Sequence, residues 1–180
     1  MGKFEFTGIN HLALVSSDME RTVEFYEGVL GMPLVKTIDL PEGMGQHFFF
    51  DCGNGDSLAF FWFPDAPEGV PGVSAPRYRP DQGPITSAHG SMNHVAFGVT
   101  PDAIDDCVAR LRDAGVDCTE VVNHDNSEWG VSREFTDDVY VRSIYFTDPD
   151  GISLELAAWT RALGPDDVSR APRPAITSAG

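Results

Sequence analysis

The chain has 180 residues, enough for one packed domain or for two small half-domains around a shared core. Acidic residues outnumber basic ones by 28 to 12, a formal charge of −16 whose field repels phosphate backbones and argues against a nucleic-acid partner. The longest apolar runs are strand-length and the start, Met-Gly-Lys-Phe-Glu-Phe-Thr, lacks a secretory pattern, so a cytoplasmic protein without membrane contact is expected.

Taken in chain order, residues 9–14 (Ile-Asn-His-Leu-Ala-Leu) read as a strand with alternating apolar positions. Ser16, Ser17 and Asp18 then offer a helix start, and Val23, Phe25, Tyr26 and Leu30 follow at helical spacing up to Gly31. Three strand-like runs come next, at 33–40, 46–52 and 56–63, the last two joined by Gly53-Asn54-Gly55, a turn sequence tolerant of positive φ. Residues 64–91 are rich in Pro and Gly and read as a surface linker.

The pattern then repeats. Met92-Asn93-His94-Val95-Ala96-Phe97 matches the first strand, Thr100-Pro101-Asp102 opens a helix with Ile104, Val108 and Leu111, and Gly115 closes it. Strands follow at 117–123, 139–147 and 152–159, the last two joined by Asp148-Pro149-Asp150-Gly151. Each copy reads β-α-β-β-β, giving module one at 8–63, the linker at 64–91 and module two at 92–159. The tail at 160–180 has no apolar period and reads as extended or disordered. Cys52, Cys107 and Cys118 share no metal-type spacing and read as buried thiols rather than a disulfide framework.

Two histidines at equivalent first-strand positions, His11 and His94, can face one another if the copies pair about a pseudo-twofold axis, and two imidazoles suit a first-row divalent metal. Glu155 is the natural third donor. It sits in an otherwise apolar strand, on one face with Ser153 and Ala157, where a carboxylate needs compensation. Aligning the two hairpin turns places Ala59 at the position equivalent to Glu155.

These motifs, with Phe-Tyr-Glu-Gly-Val-Leu-Gly-Met-Pro-Leu at 25–34 and Tyr-Phe-Thr-Asp-Pro-Asp-Gly-Ile-Ser-Leu-Glu-Leu at 145–156, resemble the vicinal-oxygen-chelate superfamily, which includes glyoxalases, extradiol dioxygenases and bleomycin- or fosfomycin-resistance proteins. The resemblance implies an α+β fold of two βαβββ modules pairing into an open, barrel-like mixed sheet around a central metal site, in a homodimer. The ligand positions of the family's first and last strands read His11, Ala59, His94 and Glu155 here. With Ala59 in place of a carboxylate, the set resembles that of the ring-cleaving dioxygenases, a two-His-one-carboxylate triad suited to Fe(II), with Mn, Ni, Co or Zn as other candidates.

By the same resemblance Tyr145, ten positions before Glu155, hydrogen-bonds substrate or metal-bound oxygen. The first-module acid–base His of many ring cleavers has no counterpart in Gly55-Asp56-Ser57-Leu58, so His47 is the candidate for acid–base work, ahead of Asp56, His124, His89 and Arg142. Phe48, Phe50, Phe60 and Trp62 are candidates to line an aromatic pocket. The leading expectation is an Fe(II) dioxygenase taking O₂ and a catechol-like aromatic compound. The alternatives are a Lewis-acid lyase or isomerase, and a protein that binds a drug or natural product without catalysis.

Overall fold

The computed structural model describes residues 6–175; the reading of the N-terminal start and of the last five tail residues falls outside them. In the first module β1 (His11–Ser16) leads into α1 (Met19–Val23), followed by β2 (Leu34–Asp39), β3 (Gln46–Gly53) and β4 (Asp56–Trp62), in the sheet order β1-β4-β3-β2. The second module repeats this with β5 (Val95–Gly98), α2 (Ile104–Asp113), β6 (Val122–His124), β7 (Val141–Thr147) and β8 (Ser153–Trp159), in the order β5-β8-β7-β6. Each sheet is mixed: its first and last strands run parallel and the remaining pairs antiparallel. Among the described residues neither sheet closes into a barrel, and no helix is long and apolar enough to cross a membrane.

Local chemistry sets the element ends. Asp18 caps α1, its side chain accepting from Arg21 N. The helix then widens into a π-helical stretch, Glu24–Val29, closed by Leu30 N bonding Phe25 O. Both Phe25 and its neighbour Tyr26 are buried there. Gly31 ends the stretch at φ +71°, a conformation that costs glycine little. Between β7 and β8, Asp148 Oδ1 accepts from Asp150 N and Ile152 N and so ties the turn to itself.

The largest departure from expectation is at 117–123, where only Val122–His124 forms a regular strand. Thr119 explains the break: its hydroxyl accepts from Tyr145 N while its own N–H bonds Tyr145 O, replacing regular ladder pairing at that point. Between the modules, Arg79 fastens the segment 64–91 to module two through the carbonyl and carboxylate of Asp117.

One core serves both modules. Phe50, Leu58 and Phe60 of the first sheet and Ile144, Phe146, Leu154 and Ala158 of the second bury their side chains in a single cluster with Phe25, Tyr26, Ile104 and Leu111 from the helical segments. Tyr26 also donates to Asp148 Oδ2 across the module boundary, and Ser17 and Arg21 bond Asp150. Strand alternation then turns the opposite faces of both sheets, those bearing His11 and His94, away from that core.

Candidate metal centre

The second sheet builds most of the centre. Ala96 pairs with Glu155 on β8 and Tyr145 on β7 pairs with the same Glu155, so the three share one face, with His94 just ahead of β5. His94 Nε2 lies 2.9 Å from Glu155 Oε2. Asn93 Oδ1 lies 2.9 Å from His94 Nδ1, and because a carbonyl oxygen can only accept, Nδ1 carries the proton. Nε2 therefore presents a lone pair unless it gains a second proton. A lone pair facing a carboxylate is repulsive; a cation between them resolves it, and a metal ion is such a cation.

The same device recurs at His11, whose Nδ1 donates to Asn10 Oδ1 at 2.8 Å. In each module the Asn-His dipeptide thus locks the tautomer that leaves Nε2 free, the arrangement metal-ligating histidines require. Within one chain, however, His11 lies on the other sheet. Among the described residues no three His, Cys, Asp or Glu side chains converge as a metal-binding group.

Burial acts first on Glu155 and works to raise its pKa, but His94, once its Nε2 is protonated and donates to the carboxylate, and the nearby Ser143 hydroxyl outweigh it and hold the carboxyl below its usual range. Tyr145 is pushed up to about 12, chiefly by burial and then by the charge of Glu155. Ser143 Oγ is wholly enclosed on this face and makes no hydrogen bond of ordinary geometry, an unused donor beside the candidate ligand. The buried Glu155 carboxylate and the locked imidazole of His94 suit a divalent metal as two donors on one face, and His11 presents an equally locked imidazole on the other sheet.

His47 stacks flat on Phe61 at 3.7 Å and 3°, and its Nδ1 donates to Phe60 O, leaving Nε2 unused. It shares the open face of the first sheet with His11, Phe49 and Ala59, Phe49 meeting the His11 ring edge-on at 5.7 Å. Phe48, Phe50, Phe60 and Trp62 instead face or pack against the shared core, so the aromatic residues of the open face are Phe49 and Phe61. His89 is exposed, Asp56 begins β4, and Arg142 is bound bidentately to Asp105 of α2 and to Asn123. His124, expected in a loop, ends β6 and places its Nε2 2.9 Å from the Tyr145 hydroxyl. It is the residue that sequence reasoning undervalued; the signal was its position next to a strand that pairs with Tyr145's own.

Residues 8–156 match the profile of the glyoxalase/bleomycin resistance protein/dioxygenase superfamily. The chain belongs to this superfamily. Among curated superfamily-like relatives, metallothiol transferase FosB of Shouchella clausii (strain KSM-K16) is 28% identical over 155 residues, 86% of this chain and 82% of its own length. FosB of Staphylococcus epidermidis is 28% identical over 149 residues, covering 83% and 81%. Among solved structures, a glyoxylase/bleomycin resistance protein/dioxygenase domain from Frankia sp. EAN1pec aligns at a TM-score of 0.61 with 15% identity, covering 86% of this chain and 99% of that one. Fosfomycin resistance protein FosX from Listeria monocytogenes, complexed with Mn(II) and sulfate, aligns at 0.54 with 18% identity, covering 87% and 95%. At such identities the structures speak for the fold, which is that of the superfamily's paired βαβββ modules.

Proposed function

We propose that this superfamily member is a divalent-metal enzyme, an Fe(II) dioxygenase of the ring-cleaving kind, acting on a small aromatic compound with two adjacent oxygen donors. The observation that carries the reading is the His94–Glu155 pair, whose locked tautomer calls for a cation, with Ala59 removing a fourth protein donor. His11, His94 and Glu155 hold the metal. When bound, it supplies an electrophilic centre with open positions where substrate oxygens and O₂ meet.

His11 reaches that centre from a second copy of the chain. Both His-bearing faces point away from the shared core, so the first sheet of one copy can cover the second sheet of another, and each dimer then holds two equivalent sites. Phe49 and Phe61 supply an apolar wall for the aromatic ring, with His47 stacked on Phe61 and edge-on to Phe49. Tyr145 holds a substrate oxygen, His124 steadies the tyrosine hydroxyl, and the free Nε2 of His47 is the acid–base candidate on the opposing wall.

The relatives named metallothiol transferase, aligned over more than four-fifths of both chains, favour a second reading: metal-assisted addition of a thiol to fosfomycin. Against it, the site-facing strand positions contain no arginine, and Lys36, paired with Phe49, is their one lysine. Protein purified anaerobically and loaded in turn with Fe(II), Mn(II), Ni(II), Co(II) and Zn(II) separates the two. Oxygen uptake with catechols by the Fe(II) form supports the dioxygenase; thiol consumption with fosfomycin, without oxygen uptake, overturns it in favour of the transferase.

A further inference from the structure

A cleft of about 410 Å³ opens between the two modules, apart from the metal centre. Leu30, Met32 and Cys52 of the first module face Phe97, Leu111 and Leu156 of the second across it. Phe97 and Leu156 alternate with Ala96 and Glu155 along β5 and β8, so their side chains project from the reverse of the sheet that carries the metal donors. The volume falls in the range of small-molecule sites, and the wall is predominantly apolar.

One cation lines this cleft. Arg110, near the end of α2, borders it, and among the described residues no carboxylate forms an ion pair with it. Arg21, Arg79, Arg112, Arg142 and Arg161 are ion-paired, whereas Arg110, like Arg77, Arg133, Arg170 and Arg173, makes no ion pair among the described residues; of these only Arg110 borders the cleft. The one acidic residue of the lining, Asp51, already accepts a hydrogen bond from Gly53 N. An apolar volume bordered by an unpaired guanidinium is complementary to an anion with an apolar body.

We propose that this cleft is a second binding site, for a small carboxylate carrying an alkyl or aryl body, independent of the metal centre. The carboxylate pairs with Arg110 and the body displaces water from the wall formed by Met32, Phe97, Leu111 and Leu156.

Decanoate and 2-naphthoate are the probes, titrated calorimetrically into the full chain, with the molar mass followed by light scattering. Cys52 gives a local readout, because it is the partly accessible thiol of the cleft whereas Cys107 and Cys118 are buried. The expected result is saturable binding of at least one probe, slower labelling of Cys52 when it is bound, and affinity lowered about tenfold by Arg110→Gln and restored in part by Arg110→Lys. His94→Ala leaves the affinity unchanged. Absence of binding by both probes, indifference to Arg110→Gln, or loss of binding in His94→Ala overturns the proposal. So does a change in molar mass with Arg110→Gln, which would make a second copy of the chain the occupant.

Discussion

Asp148 offers a quantitative test of how the modules are joined. Its carboxyl is 6% exposed, bound by Tyr26 from the other module, and raised to about 6, chiefly by burial. An unfolded Asp titrates near 3.9. A group whose pKa is higher in the folded state favours folding fully below the unfolded value, and that contribution is lost as pH rises through the folded one. Two pH units correspond to about 3 kcal/mol in all, of which about 2 kcal/mol falls between pH 4.5 and 7.5.

Asp148→Asn keeps an oxygen to accept from Asp150 N and Ile152 N, and its amide can donate to the Tyr26 hydroxyl, but it cannot ionise. Urea unfolding of both proteins across this range isolates the effect, because other carboxyls cancel in the difference. The substitution should become more favourable, relative to the parent, by about 2 kcal/mol from pH 4.5 to 7.5. A difference that is flat with pH, or that moves the other way, would refute the idea that a buried carboxyl at the module boundary is strained by ionisation.

Three further outcomes follow from the centre. Asn93→Ala, which frees the Nδ1 proton of His94, should weaken metal binding by about 10- to 100-fold in a competition titration without unfolding the chain. Coexpressing His11→Ala with Glu155→Ala chains should restore metal binding to about a quarter of the wild-type sites, since half the dimers are mixed and each of those has one intact site; a site built within one chain would give none. Tyr145→Phe should lower oxygen uptake by about 100-fold while leaving metal stoichiometry unchanged, as measured on the Fe(II)-loaded protein.

Much of this architecture can be read from the repeat alone. The equivalence of Ala59 and Glu155, inferred from the hairpin turns, reappears in the strand registers, where Ala13 meets Ala59 and Ala96 meets Glu155. Alternation likewise places Tyr145 opposite Glu155, because both lie in regular strands around a short turn. Parity also separates the aromatic residues: Phe61 lies two residues from Ala59 and therefore shares its face, whereas Phe60 and Trp62 do not.

Other features depend on long-range packing and leave no periodic trace. The shared core turns the His11 and His94 faces outward, and nothing in either strand encodes which partner its open face will meet. The pairing of His124 with Tyr145 requires β6 to resume after the interruption at Thr119, a side-chain substitution for a ladder bond that propensity does not foresee. The inward placement of both Phe25 and Tyr26 rests on a π-helical widening that a 3.6-residue period does not describe.

The central claim is that His94, together with Glu155 and His11, holds one metal ion per chain. It is tested most directly by the metal stoichiometry of anaerobically Fe(II)-loaded wild-type protein and its His94→Ala variant, with circular dichroism confirming that both are folded. The account predicts near one ion per wild-type chain and almost none in the variant. Equal stoichiometry in the two would remove His94 from the centre and contradict it.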